Sequence, residues 1–541
     1  MSYYTPPHYA FQRPPELDGT KNIHQVAIIG AGPVGLTCAL ELAKHGVGSV
    51  IIDPKNTVCE GSRAVCLARR SMEILQHIDA VTPFIKKSLP WTRGRSFYRD
   101  RLVYQLEMSH SEHERFFPMH NLQQHWMEEY LVNSVTSCDR IDLRWQSELV
   151  GITQHVDRAD LEIKTPDGTY RTAARYVIAA DGARSAVRTL LNLKLQGDAY
   201  EGSYVIVDIQ MRSDHPTERR AYFDPPANPG STLLIHKQPD DIWRLDYQLR
   251  DNEDPDAALA EHTVRSRIQA ILNMLGETAP WTLEWKSLYK AHTLALDDYS
   301  NRHVFFAGDA AHLVPIFGVR GLNSGLADAN NLGWKLAYVV NGCAPKEILQ
   351  TYSSERRAAT MDIFKEATKS TKFMTPPSHG YSILRDAVLS LSLQNEFAKG
   401  LINPRQSAPY DYTDSSATSF QENDLTFASG PRAGAPAQNV RLADDDFLID
   451  HLGKGFTGIF FRETGTLSAD DEKLTAAMQL GNQTFTPIVF SSHGMIADRY
   501  GASHGSFYLF RPDGHVCARW TKIDHQQVLA AQRNALGVQY G

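Results

Sequence analysis

The sequence predicts an α/β protein, built from a parallel-stranded domain with an inserted antiparallel sheet and a smaller α/β unit at its C-terminal end. Three observations carry this. A strand, glycine turn, helix and strand follow one another from His24; short β-rich runs parted by Pro, Asp and Asn fill about Gly202 to Asp298; helical texture returns after Phe306 and runs through Ala337. At 541 residues the chain exceeds what one hydrophobic core holds, so two or three domains are expected.

Bulk composition narrows the function classes. Hydrophobic residues make up 42% and charged residues 22%, as in ordinary globular proteins. Net charge is −7 with no long basic run, which leaves a nucleic-acid partner without electrostatic support. The opening MSYYTPPHYAFQRPPELDG lacks the basic and apolar regions of a signal peptide, and no run of about 18 apolar residues is present to span a membrane. Six scattered cysteines without a C-x-x-C pair point to reduced thiols in a cytoplasmic setting, with neither a disulfide framework nor a metal site.

Taken in order, residues 1–22 read as an extended arm. QVAIIG is β-branched and apolar and stops at Gly30. AGPVGLTCALELAKHG has helical spacing at Val34, Cys38 and Leu42 and ends at Gly46, and SVIID rebuilds a buried strand. Together they make a βαβ unit with parallel strands, and the first domain runs over 23–201. SYVIVDIQMR, STLLIHK and IWRLDYQL predict the antiparallel insertion over 202–298. Residues 299–404 return to the first domain, helical after Phe306, 405–429 have the Pro, Ser, Thr and Asp of a linker, and 430–541 form the last unit.

The turn Gly30-Ala31-Gly32-Pro33-Val34-Gly35 fits G-x-G-x-x-G. Gly30 permits the tight turn, Gly32 lets backbone approach a pyrophosphate, and Gly35 lets helix and strand pack closely. The helix that follows offers N–H groups and a positive dipole end to phosphates. Asp53 ends the next strand roughly twenty residues later, where its carboxylate can accept from ribose hydroxyls. Two other matches fail on context. Gly453 to Gly458 fits the same pattern but precedes the strand-like IFF, and Gly501 to Gly505 fits G-x-S-x-G but precedes the strand-like SFYLF, so neither opens a helix.

Two later stretches decide which dinucleotide is meant. RYVIAADGARS, from Arg175 to Ser185, is an apolar strand ending in Asp181-Gly182. HVFFAGDAAH, from His303 to His312, is followed by Pro315, Gly318, Gly321, Asn323 and Asp328. With the Gly30 fingerprint these resemble, in order and separation, the aromatic-ring flavoprotein monooxygenases of the para-hydroxybenzoate hydroxylase and phenol hydroxylase group. The resemblance implies a Rossmann-like FAD-binding domain with an inserted antiparallel-sheet substrate domain. From the residues themselves, Phe305 and Phe306 form a buried strand, Gly308 frees the backbone, and Asp309 can accept from a ribityl hydroxyl. Leu322, Leu326, Ala329 and Leu336 repeat at helical spacing, and the N-terminus of that helix can stabilise negative charge on a reduced ring.

Further assignments come from the resemblance alone. It places Asp309 on the ribityl chain, Pro315 beside the flavin ring, and the Gly321-Leu322-Asn323 backbone at the pyrimidine edge. It puts Arg63 near the FAD phosphates and the nicotinamide path, Gln124 on the flavin and Leu149 on the adenine. Asp181 either closes its own turn or touches cofactor, and His312 reads as a hydrogen-bonded core histidine. Where relatives often carry glutamine before the glycine matched by Gly321, this chain has Arg320. Gly430 to Pro436, FLIDHLGKGFTGIFF and Phe507 to Val516 resemble the thioredoxin-like C-terminal domain of phenol hydroxylase and of 3-(3-hydroxyphenyl)propionate hydroxylase. With Cys517 as its one cysteine, that domain has no redox pair.

The resemblance implies hydride transfer from NAD(P)H to FAD, uptake of molecular oxygen (O2) to give a flavin hydroperoxide, and hydroxylation of a small phenolic substrate, as in aromatic-compound degradation. No second valid fingerprint exists, so NAD(P)H binds transiently in a cleft. Tyr204, Tyr222, His236, Trp243, Tyr247 and Tyr289 supply a wall for an aromatic ring; Tyr289, His236 and Pro315 are the candidate catalytic residues. A flavin-dependent oxidase and a non-catalytic flavin-binding scaffold stay open, and a homodimer is compatible with the resemblance.

Overall fold

The computed structural model describes residues 3–250, 253–315, 317–402, 408–420, 424, 426–481 and 483–538. The strand Ile23–Ile29 lies between Gly168–Ala179 and Ser49–Ile52 and runs parallel to both, with Ile28 opposite Ile178 and Ile51. Ile141–Arg144 extends the sheet on one side and Val304–Phe306 on the other, also in parallel, and Ser300–Asn301 closes that edge. Glu148–Gln154 and Ala159–Thr165 add an antiparallel ribbon to the first half of Gly168–Ala179. Both faces of the parallel part are covered, which is why its strands are unbroken apolar runs; Val26, Ala27 and Ile28 are wholly buried.

Helices Pro33–Lys44 and Gly321–Val340 pack side by side on this sheet. A Cβ at Gly325 would stand 2.6 Å from Val34 Cγ2, and one at Gly333 would stand 2.4 Å from Glu41 Cβ. Residue numbers rise together along the contact, so the helices are parallel and present their N-termini at the same end. Larger side chains at these two positions would force the helices apart.

The second sheet has eight strands, in the order His312–Leu313, Trp281–Ala295, Gln196–Met211, Ile242–Gln248, Thr232–Lys237, Arg219–Phe223, Arg93–Tyr98 and Arg101–Glu107. It reaches beyond the 202–298 segment, because Arg93–Tyr98 pairs in parallel with Arg219–Phe223 across more than a hundred residues of chain, a long-range pairing that local patterning does not reveal. Its two faces differ. Val205, Val207, Leu233, Ile235 and Leu245 pack against Val264, Ile268 and Ile271 of helix Glu261–Leu275. The alternate residues, among them Tyr204, Asp208, Arg219, His236, Arg244, Asp246 and Tyr289, form the opposite, polar face.

Helices Gln350–Met374, His379–Ser392 and Glu396–Lys399 complete the middle of the chain. The last unit is a four-stranded sheet ordered Thr486–Ser491, Thr457–Arg462, Phe507–Phe510, Val516–Trp520, with the first pair parallel and the others antiparallel. Gly458 lies in a strand and Gly505 just before one, so the two out-of-context glycine matches open no helix. The N-terminal arm is extended apart from a turn at Pro15–Asp18, and Tyr9 stacks on Trp145 at 4.7 Å. The expected linker over 405–429 and the end of the 299–404 segment lie partly outside the described residues. Among the described residues, no helix is long and apolar enough to cross a membrane, and no group of His, Cys, Asp and Glu could hold a metal.

Candidate active site

The glycine turn is shaped by close backbone approach. Gly30 has φ +109°, and a Cβ there would lie 2.5 Å from the Ala180 carbonyl oxygen; a Cβ at Gly35 would lie 2.0 Å from the Gly30 carbonyl oxygen. At Gly32 a Cβ would meet nothing within 4 Å, so the backbone is open on this side. Pro33 starts the helix, where a missing N–H costs nothing; Leu36 N–H donates to the Gly32 carbonyl (3.0 Å), and the N–H groups of Val34 and Gly35 precede the first intrahelical acceptor. Asp53 is buried, its Oδ2 accepting from Ala31 N–H (2.7 Å) and its Oδ1 from Lys55 N–H (2.9 Å). It therefore braces the turn, and a carboxylate retains lone pairs for ribose hydroxyls. Ser147 N–H donates to the Asp53 carbonyl (2.9 Å), and the next strand carries Leu149, buried opposite Ile163, so the ribbon begins beside Asp53.

Two aspartates sit at neighbouring strand ends. Asp181 lies against Gly30, and its Oδ2 accepts from Val187 N–H (3.1 Å), closing the start of helix Ala186–Leu190. Its Oδ1 has no hydrogen-bond partner among the described residues, and burial pushes its pKa up. Asp309 is solvent-accessible although protein surrounds it, which places it on the wall of a cleft; burial raises its pKa, opposed by His312 and Arg63. Gly308, at φ +60°, donates its N–H to Asp328 Oδ2 (2.9 Å), and Asp328 also binds His312 Nε2 (2.7 Å) and Arg356 Nε (2.6 Å). His312 is thus a buried, hydrogen-bonded core residue.

Pro315 is buried next to Val314, whose carbonyl accepts from the Tyr289 hydroxyl at 3.1 Å. Val319 is held at φ +59°, a conformation β-branched residues avoid, at a cost of about 1–3 kcal/mol. Contacts with the buried Cys66, Trp91 and Met119 cluster offset it. The guanidinium of Arg320 lies beneath Gly318, 2.9 Å from where a Cβ would be. Asn323 Oδ1 accepts from Ala68 N–H (2.8 Å) and Ser71 Oγ–H (2.6 Å), while its Nδ2 donates to the Cys66 (3.1 Å) and Val319 (2.8 Å) carbonyls. The side chain is fully engaged, so Leu322 and Asn323 offer the cleft their backbone N–H groups at a helix start that begins with Gly321.

The loop Cys59–Ala64 forms another wall. Gln124 Oε1 accepts from Ala64 N–H (3.1 Å) and its Nε2 donates to Glu128 (2.8 Å), which accepts from Cys59 N–H (2.6 Å). Gly61 packs on the Trp285 ring, Ser62 Oγ–H donates to Asp208 Oδ1 (2.9 Å), and Arg244 donates to the Arg63 carbonyl and to Asp246 Oδ1 (2.8 Å). These contacts tie the polar sheet face to the loop and leave Arg63 exposed, at φ +41°, with its charge acting on Asp309.

His236 is buried on the same face, opposite Arg219 and Arg244 on the adjoining strands. Burial, then those two cations, drive its pKa well down, so the ring is neutral; its Nδ1 has no hydrogen-bond partner among the described residues. Burial raises Asp208 to about 6, with Asp246 adding to the shift and Arg244 and Ser62 opposing it. As pH climbs from about 4 to about 6 the unfolded carboxyl ionises while the folded one stays protonated, so this group's contribution to stability is lost across that window. Wild type is expected to lose about 2 kcal/mol relative to Asp208→Asn between those pH values, read by urea unfolding. Parallel curves for the two proteins would contradict the raised value.

Ser62, Asp208, Arg244, Arg356 and Gly325 escaped the sequence reading. The available signals were charges alternating inside the apolar run IWRLDYQ and glycines eight apart in one helix, at 325 and 333.

The protein-family model described as "FAD binding domain" matches residues 24–367. A 3-(3-hydroxy-phenyl)propionate/3-hydroxycinnamic acid hydroxylase of Mycolicibacterium gilvum (strain PYR-GCK) is 30% identical over 438 residues, 80% of this chain and 74% of that protein. One of the same name from Burkholderia cenocepacia (strain HI2424) is 29% identical over 534 residues, 96% of this chain and 95% of that protein. The crystal structure of the flavin-dependent monooxygenase PieE with FAD and substrate superposes with a TM-score of 0.77 at 20% identity, covering 96% of this chain and all of that one. Shared fold, open Gly32 position and co-oriented helix N-termini agree with that match over more than half the chain: the protein belongs to the FAD binding domain family.

Proposed function

We propose that the protein is an FAD-dependent, NAD(P)H-consuming monooxygenase that hydroxylates a phenolic substrate. The observation that carries this reading is the convergence of two parallel helix N-termini on one cleft, with Asp309 on its wall and a polar sheet face, joined to it by the Tyr289–Val314 bond, alongside. Bound FAD supplies the two-electron carrier and the oxygen chemistry. The chain supplies binding, charge and exclusion of water. Gly32 gives room for the pyrophosphate, the first turn after Pro33 binds it, and Asp53 and Asp309 accept from hydroxyls. The N–H groups of Leu322 and Asn323 oppose negative charge at the far end. Exposed Arg63 is a cation suited to the phosphates of a visiting NAD(P)H.

Tyr289 and His236 face the substrate side in this reading. Burial, with the Asp309 charge adding, pushes the Tyr289 hydroxyl up, so it keeps its proton and acts as a donor. His236, held neutral, can accept a hydrogen bond from a substrate hydroxyl. Tyr289→Phe should cost about 1 kcal/mol of stability and leave FAD affinity unchanged. Release of the Val314 carbonyl should raise the share of NAD(P)H oxidised to hydrogen peroxide. A coupling ratio equal to wild type would remove Tyr289 from the reaction.

The order of the C-terminal sheet, a parallel pair followed by two antiparallel strands with helices between, supports a thioredoxin-like domain. Burial pushes the Cys517 thiol up to about 12, so it is no redox nucleophile. The relatives' names favour a phenylpropionate-type substrate. NAD(P)H consumption across a phenol panel that includes 3-(3-hydroxyphenyl)propionate, with peroxide and product mass followed together, tests the proposal. Substrate-stimulated consumption with one added oxygen atom supports it; oxygen uptake without NAD(P)H indicates an oxidase, and bound flavin without turnover a scaffold.

A further inference from the structure

A buried network of charges joins the C-terminal unit to the cleft. Arg511, on the loop after Phe507–Phe510, is 1% exposed and donates to both oxygens of Glu355 (2.6 and 3.0 Å) and to Asp513 Oδ1 (3.1 Å). Glu355 also accepts from Lys335 Nζ (2.7 Å) and Asn331 Nδ2 (2.6 Å), and Asp513 accepts from Trp334 Nε1 (3.1 Å). Lys335, Asn331 and Trp334 all belong to helix Gly321–Val340. Next to Glu355, Arg356 donates to Asp328 (2.6 Å), to Ser324 Oγ in the first turn of that helix (3.0 Å) and to the Tyr412 hydroxyl (2.9 Å). The Arg511 guanidinium lies 5.1 Å from the Tyr412 ring, and Asp328 holds Gly308 N–H, beside Asp309.

We propose that Arg511 is a positioning residue for the flavin site, an inference that rests on the flavin reading above. It acts through Glu355 and Asp513 on the middle of the helix whose first turn meets the ligand, and through Tyr412 and Arg356 on the Asp328–Gly308 contact. A chain of ions this deeply buried adds little net stability compared with apolar packing; what it adds is a single permitted geometry. The C-terminal unit thereby fixes the axial setting of helix Gly321–Val340, and with it how closely the positive end of the helix approaches a reduced ring.

The test compares full-length wild type with Arg511→Met, Arg511→Lys, Trp334→Phe and a control, Arg462→Met. Arg462 is also buried and paired, with Asp471 (2.8 Å), but wholly within the C-terminal unit. FAD dissociation constants and the reduction potential of the bound flavin are the readouts, with thermal stability alongside. Arg511→Met is expected to weaken FAD about 10-fold and move the potential negative, with Arg511→Lys between it and wild type and Trp334→Phe down about 3-fold. Arg462→Met should lose comparable stability but keep affinity and potential. Unchanged affinity and potential in Arg511→Met, or equal shifts in it and Arg462→Met, would overturn the proposal. If Arg511→Met does not fold, an unaltered Trp334→Phe overturns it. A wild-type protein that takes up no FAD defeats the flavin reading itself, a different outcome from a wild type that binds FAD while the variants match it.

Discussion

Gly35→Ala is expected to yield protein that retains no FAD and unfolds about 1–3 kcal/mol more easily than wild type. The added methyl would stand 2.0 Å from the Gly30 carbonyl oxygen and 3.3 Å from Ala180 Cβ, so backbone must shift. The helix would slide off the strand, carrying its N-terminus away from the place proposed for the FAD phosphates. Gly32→Ala separates the two effects. Gly32 has φ −80° and open space where a Cβ would go, so the apo variant should unfold like wild type while its methyl obstructs the ligand. Urea unfolding of the apo forms and FAD titration followed by yellow absorbance check both. Stoichiometric FAD in purified Gly35→Ala would refute the account of the turn.

Arg356→Met should remove about 3–5 kcal/mol of stability, because it strands a buried carboxylate. In wild type, burial pushes Asp328 up, but His312 and Arg356 more than reverse this and leave its pKa below the usual carboxylate range. A depressed carboxylate contributes stability that is present above its unfolded value and lost as pH falls through its folded one. Without the guanidinium the folded pKa rises, so acid unfolding of the variant should begin at higher pH. Asp328→Asn placed on top of Arg356→Met should recover part of the loss, since the unpaired charge is gone. Urea midpoints at neutral and mildly acid pH decide this. A loss under about 1 kcal/mol would mean that His312 alone suffices to hold Asp328.

Legibility followed chain distance. Helices Pro33–Lys44 and Gly321–Val340 and strands Ile23–Ile29, Ser49–Ile52 and Val304–Phe306 lie where residue patterning puts them, because each is defined by neighbours a few positions away. The eight-stranded sheet is larger than its 202–298 segment, since the parallel pairing of Arg93–Tyr98 with Arg219–Phe223 leaves no local trace. Residues with chemistry in a glycine motif could be listed from sequence. Asn323 could be listed too, but not that all its side-chain bonds go to Cys66, Ala68, Ser71 and Val319. Arg356 and Asp208 could not be listed, because a charged residue in a helix or strand looks solvated until its partner is known.

By itself the sequence determined the βαβ unit, the glycine turn and the family, because strand period, helix period and motif spacing are properties of adjacent residues. The tertiary structure alone decided that the two helices run side by side with their N-termini together, that the sheet turns its polar face to the Cys59–Ala64 loop, and that Arg356 lies 2.6 Å from Asp328. The physical reason is that a charge can leave water only where an opposite charge or a donor already waits, and that place is set by packing between segments remote in the chain.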